Sequence, residues 1–149
     1  MSVRQADISS KPVVLREASA TGRIVLSRKT LQLIRKGKLE KGDPLAISKT
    51  MAILAVKKTP EMLALCHPLR IEHVEVVETL HDDSIEATVT VSAHEKTGVE
   101  MEALTAVAVA LLNIWDVVKA YEKDGRGQYP STRIEGIRVV SKVKGNGRA

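Results

Sequence analysis

The stretch SIEATVTVSAHEKTGVEMEALTAVAVALLNIWDVVK, residues 84–119, changes its period halfway and so decides the fold. Ile85, Ala87, Val89, Val91 and Ala93 alternate strictly with polar neighbours, which is how a strand with one buried face reads. After Thr97-Gly98 the apolar residues are almost continuous and keep helical spacing to about Lys123, predicting one long helix. Upstream, the Val- and Ile-rich run from Arg70 to Leu80 and the Asp82-Asp83 turn complete an antiparallel hairpin. Downstream, Gly125 to Ser131 is a loop and Ile134 to Val143 a last strand. Strand, strand, long helix, strand is an α+β arrangement: a ferredoxin-like antiparallel sheet with packed helices.

The first half of the chain supplies the rest of the domain. Val13 to Leu15 begin an extended segment that resumes at Arg23 to Leu26. Ser27 caps a short amphipathic helix through Leu31, Leu33 and Ile34, closed by Gly37. Asp43-Pro44 opens a helix to Lys58, which Thr59-Pro60 should end. A short third helix is expected before Cys66. Residues 1–149 make one domain, with 1–12 expected to be mobile or held by a partner and 145–149 a flexible tail. In the long helix Leu104, Ala108, Leu111, Trp115 and Val118 form one apolar stripe, while Thr105, Val109 and Leu112 carry a second face. One small sheet cannot cover both, which predicts a homo-oligomer.

With 44% hydrophobic residues but no Phe, one Trp and two Tyr, the core must be aliphatic. Cys66 is the only cysteine, so no intramolecular disulfide can form; with no apolar secretion-type run at the start, a cytoplasmic setting is expected. Val99 to Ala120 is the longest candidate membrane segment, but Glu100, Glu102, Asp116 and Lys119 would each cost a few kcal/mol in a bilayer. A soluble helix and no membrane partner are the expectation. The net charge of +5 favours an anionic ligand. Few aromatics are present to stack bases, which argues against nucleic acid.

Asp116 and Lys119 are spaced to meet on one helix face. Such a pair is often a solvated surface contact, but on a buried face a lysine loses its proton more easily and becomes a general acid or base. Glu100 fits a capping box, Thr97-x-x-Glu100, and the helix dipole. Glu102 is less well explained that way; two carboxylates there suit the N–H and amino donors of a guanine-like or pterin ring. Cys66-His67-Pro68 offers a hydrogen-bond donor, a phosphate contact or a structural histidine. No second zinc ligand lies at metal-binding spacing, so no metal site is expected. There is no glycine-rich phosphate loop either. A triphosphate would be held by side-chain cations drawn from Lys41, Lys49, Lys57, Lys58, Lys119, Arg16, Arg23, Lys142 and Lys144.

Leu65-Cys66-His67-Pro68-Leu69, followed by Thr97-Gly98-Val99-Glu100-Met101-Glu102-Ala103-Leu104-Thr105-Ala106, closely resembles the molybdenum cofactor biosynthesis protein C family, the cyclic pyranopterin monophosphate synthases. The resemblance extends from Asp7-Ile8-Ser9 and Arg16-Glu17-Ala18, through Lys41-Gly42-Asp43 and Lys57-Lys58-Thr59-Pro60, to Trp115-Asp116-Val117-Val118-Lys119-Ala120. It implies a lyase that converts 3′,8-cyclo-7,8-dihydro-GTP, made by a radical SAM GTP cyclase, to cyclic pyranopterin monophosphate with release of pyrophosphate. It implies a hexamer built as a trimer of dimers with sites between subunits. No redox cofactor is implied, beyond a possible divalent cation accompanying the triphosphate. By resemblance Asp116, Lys119 and Lys41 are catalytic; Leu65, Cys66, His67, Met101 and Glu102 bind substrate, with Glu100, Arg16 and Lys142 in support. The chain departs from the family pattern at its tail, Lys142-Val143-Lys144-Gly145-Asn146-Gly147, where a second lysine of the glycine-rich end has no clear counterpart. Its Asp124 to Thr132 loop is also longer than the bacterial form.

Overall fold

The structure is a computed structural model that describes residues 1–145; of the tail expected to be flexible, 146–149 lie outside the described residues. The elements are β1 (Val14–Val25), α1 (Arg28–Arg35), α2 (Pro44–Met62), β2 (His73–Leu80), β3 (Ser84–Glu95), α3 (Glu100–Glu122) and β4 (Arg133–Lys144). The sheet order is β2-β3-β1-β4 with every neighbouring pair antiparallel, the ferredoxin-like arrangement that the sequence predicts. In β3 the alternating residues Ile85, Ala87, Val89, Val91 and Ala93 are all fully buried. They face α2 and α3, which pack side by side on one face of the sheet. On the other face strands β1 and β3 are joined by hydroxyl pairs, Ser19 with Thr90 at 2.6 Å and Thr21 with Thr88 at 3.0 Å.

Several boundaries differ from expectation. Strand β1 is continuous where two extended pieces were expected, because Ala18, Ala20 and Gly22 give its buried face without an apolar run. Gly22 leaves room for α3: a Cβ there would lie 2.9 Å from Val107 Cγ1 and 3.2 Å from Leu111 Cδ1. Helix α2 does not end at Thr59-Pro60. Pro60 lies in its last turns, and the Leu63 N–H still reaches the Thr59 carbonyl at 2.9 Å. The missing N–H of one proline costs one hydrogen bond near the helix end, where packing outweighs it. The short third helix is therefore absent, its place taken by the end of α2.

Helix α3 starts at Glu100 rather than at Thr97-Gly98, and no side chain caps it, so the expected capping box does not form. Its stripe against the core is Ala103, Ala106, Val107, Ala110, Leu111, Ile114, Val117 and Val118. Of the stripe predicted from sequence only Leu111 and Val118 are fully buried; Leu104, Ala108 and Trp115 flank it. Among the described residues α3 is the one helix long and apolar enough to cross a membrane, yet this buried stripe is that of a core helix. Its other face is open in the single chain, with Met101 and Leu112 exposed and Thr105 and Val109 half-buried.

The ends of α1 and α3 are tied together by the buried carboxylate of Glu122. It accepts from the Ser27 hydroxyl at 2.8 Å and the Thr132 hydroxyl at 2.7 Å, and from Thr30. The C-terminal end of α3 is thereby fixed against the start of α1, from which the chain runs on to Lys41.

Candidate active site

The residues assigned to catalysis or binding by resemblance, Arg16 apart, fall into two clusters at opposite ends of α3. At the C-terminal end, Asp116 and Lys119 face each other one helical turn apart, Lys119 Nζ lying 3.1 Å from Asp116 Oδ1. Lys41 joins them from the loop before α2. Its Nζ donates to the Asp116 backbone carbonyl at 2.9 Å and lies 3.4 Å from Oδ1. Two features aim that loop. Gly42, at φ +103°, adopts a backbone that other residues resist, and the Tyr121 hydroxyl of α3 accepts the Glu40 N–H at 3.0 Å. The ammonium of Lys119, with that of Lys41 behind it, holds the Asp116 carboxyl below the usual carboxylate range, so it stays ionised through neutral pH.

These groups are not buried in the single chain, where the Asp116 side chain is 61% exposed; they lie on the second face of α3, which the sequence expects a second subunit to cover. The face of α3 that carries them is the one left uncovered. Beside them Leu112, Trp115 and Tyr129 line a shallow, open cavity of about 370 Å³, in which the Trp115 and Tyr129 rings meet edge to face at 5.2 Å. Tyr129 comes from the Asp124 to Thr132 loop, which Asp124 stiffens by accepting the N–H groups of Arg126 and Gln128 at 2.8 and 3.0 Å.

The second cluster surrounds the N-terminal end of α3. Leu65, Cys66 and His67 follow α2 and face Glu100, Met101 and Glu102 across a cavity of about 210 Å³. Burial raises the Glu102 carboxyl above its ordinary value and Glu100 adds to the shift. Burial likewise raises the Cys66 thiol, with the charges of Glu102 and Glu100 acting in the same direction, so Cys66 is no activated nucleophile. Glu100 takes Lys142 of β4 at 3.1 Å through Oε1. Its Oε2 is buried without a hydrogen-bond partner, an acceptor in want of a donor. Arg16 does not line the cavity. Its guanidinium donates to the carbonyls of Glu95 and Lys96 at 3.2 and 3.1 Å and fixes the turn ahead of α3.

One chain does not bring the two clusters together. Glu102 and Asp116 stand about 21 Å apart along α3 at 1.5 Å per residue. Ile8, Lys11, Thr97 and Gly98 also line the cavity, though the sequence assigns none of them to binding. Asp7-Ile8-Ser9 belongs to the resemblance, but neither periodicity nor charge marks it. Among the described residues no three His, Cys, Asp or Glu side chains are grouped to hold a metal ion.

The chain is a ferredoxin-like α+β domain with a lysine–carboxylate–lysine cluster at one end of its long helix and, at the other, a cavity lined by the buried Glu102 and the half-buried Glu100. The chain belongs to the MoaC family, whose model matches residues 5–145. A protein of Pyrococcus abyssi is 57% identical over 142 residues, covering 95% of this chain and 89% of its own, and is named "Probable cyclic pyranopterin monophosphate synthase". One of Thermococcus kodakarensis bears the same name at 57% identity over 143 residues, covering 96% and 92%. A relative from Methanothermobacter thermautotrophicus, 56% identical over 142 residues and covering 95% and 89%, is named "Probable cyclic pyranopterin monophosphate synthase accessory protein".

Proposed function

We propose that this protein is a cyclic pyranopterin monophosphate synthase, a lyase of molybdenum cofactor biosynthesis. It converts 3′,8-cyclo-7,8-dihydro-GTP, the product of a radical SAM GTP cyclase, to cyclic pyranopterin monophosphate and pyrophosphate. The observation that carries the reading is the placement of the Lys41 and Lys119 ammonium groups on one Asp116 carboxylate. The conversion opens one ring and closes another, which requires protons to be moved. It also expels pyrophosphate when a ribose-derived hydroxyl attacks the α-phosphorus and the bond from that phosphorus to the bridging oxygen breaks.

Asp116 keeps the lysines oriented, and Lys119 moves protons at the reacting rings. Glu102 and the unpartnered Oε2 of Glu100 accept the N–H and amino donors of the base. His67 and the neighbouring cations hold the phosphates and offset the charge that grows on the leaving pyrophosphate. Because the two clusters lie apart within one chain, the working site combines Lys41, Asp116 and Lys119 of one subunit with the Cys66–His67 cavity of another. The open apolar face of α3 supports such an assembly, which we take to be a hexamer of three dimers. Incubation with the cyclised GTP derivative should give pyrophosphate and, after oxidation, a fluorescent pterin. Folded protein that yields neither refutes the reading.

A further inference from the structure

Residues 5–11 run along the rim of the Cys66–His67 cavity as a strap without helix or strand, held at three points. The Gln5 side-chain amide donates to the Leu65 carbonyl at 3.4 Å, His67 Nε2 to the Ala6 carbonyl at 2.9 Å, and the Lys96 ammonium to the Ser9 carbonyl at 3.3 Å. Between these ties the strap turns twice. The Asp7 carboxylate accepts the Ser9 N–H at 2.9 Å, and the Lys11 N–H reaches the Ile8 carbonyl at 3.1 Å. The second turn sets Lys11 into the cavity wall beside Ala6 and Ile8.

The other basic side chains around this cavity already have partners within the chain, which they must leave to meet a phosphate. Lys142 is paired with Glu100, and His67 and Lys96 are spent on strap carbonyls. Arg16 is spent on the carbonyls of Glu95 and Lys96. Among the described residues only Lys11 brings to the cavity wall a cation whose side chain makes no hydrogen bond or ion pair. A multiply charged anion entering here can gain Lys11 without breaking an existing contact. From its backbone the flexible stem lets the ammonium follow the ligand as a point charge, the usual manner in which lysine holds phosphate.

We propose that Lys11, carried to the cavity by the strap, is a binding residue for the polyphosphate of the nucleotide substrate. The proposal rests on the lyase reading for the identity of that anion. It gives the N-terminal segment a function.

The test uses the full-length protein with Lys11→Ala and Lys11→Arg, assayed with the cyclised GTP derivative. In parallel, binding of GTP, inorganic pyrophosphate and guanosine is measured by calorimetry. Loss of one charge-assisted phosphate contact should raise KM about tenfold in Lys11→Ala with kcat changed less than about twofold. The Arg variant should recover most of the loss. GTP and pyrophosphate should bind more weakly to Lys11→Ala, and guanosine equally well. Turnover by the wild type with an unchanged KM in Lys11→Ala overturns this inference and leaves the lyase reading standing. A lowered KM overturns it as well, since the strap would then obstruct the site. Wild-type protein that fails to turn over substrate yet binds pyrophosphate through Lys11 overturns the lyase reading and keeps the anion site.

Discussion

If the working site is shared between subunits, two inactive variants should restore each other. Lys119→Ala removes the proton-moving group, and loss of a general acid or base costs on the order of 10²- to 10⁴-fold in rate. The double variant His67→Ala, Glu102→Gln disables the other cluster; two charge-assisted hydrogen bonds at about 1.5 to 3 kcal/mol each give a loss of similar size. Four turns of α3, about 21 Å, separate Glu102 from Asp116, so neither defect touches the other's groups. Suppose the two variants are unfolded and refolded together in equal amounts. Random pairing makes half of the two-fold units mixed, and each mixed unit has one doubly damaged site and one intact site. About one quarter of wild-type turnover should therefore return, against parents near or below one per cent. Different affinity tags on the two variants allow the mixed oligomer to be captured and assayed alone; in a hexamer of three dimers nearly every oligomer is mixed, so the recovery should stay at about one quarter. Captured mixed oligomers with no more activity than the mean of the parents would refute the shared site.

Two further outcomes follow from the packing. Gly22→Ala puts a Cβ 2.9 Å from both Ile137 Cγ1 and Val107 Cγ1. Such overpacking should cost about 1 to 3 kcal/mol, a fall in Tm of roughly 3 to 10 °C by calorimetry; an unchanged Tm would show that α3 is not seated this closely on β1. Glu102 has its carboxyl raised from 4.5 by burial. The folded state holds this proton more tightly than the unfolded one, so Glu102 costs stability as pH rises above 4.5 and costs none below it. Glu102→Gln should therefore be more stable than wild type at pH 8, by on the order of 1 kcal/mol, and the advantage should vanish near pH 4. An advantage independent of pH would mean that charge burial is not the cause.

Where one physical signal governs an element, the sequence shows it. The period-two run in β3, the Ser27 and Asp43 caps and the apolar length of α3 each depend on neighbouring residues alone, and each element is found where it was expected to within a few residues. β1 was less legible because its core face is Ala18, Ala20 and Gly22, which are buried by the helix lying on them rather than by their own apolarity. The end of α2 and the start of α3 depended on tertiary contacts. Pro60 is tolerated in a helix packed along α3, and Glu100 turns to Lys142 instead of back to Thr97. The site divides in the same way. The Asp116–Lys119 spacing was visible, and so was the second face of α3 beside it, which the single chain leaves open. Lys41 was one of nine candidate cations until the resemblance gave it a catalytic role, and Lys11 was marked by nothing in the sequence, since a backbone-tied strap leaves no pattern in side-chain type.

The lack of Phe bears on where the site can lie. Small residues, Ala103, Ala106 and Ala110, occupy much of the core stripe of α3, so the helix sits close against the sheet and is held along its length. At its far end Glu122 pins it to Ser27, Thr30 and Thr132; at its near end the Arg16 guanidinium fixes the turn from which it starts. A helix of 23 residues held at both ends and packed between them cannot bend to bring Lys119 near Glu102. Its open face carries the exposed Leu112 and the half-buried Thr105 and Val109 between the two clusters, a surface for a second subunit that brings its own cluster alongside. If two chains share the site, this rigidity gives the assembled groups a fixed geometry.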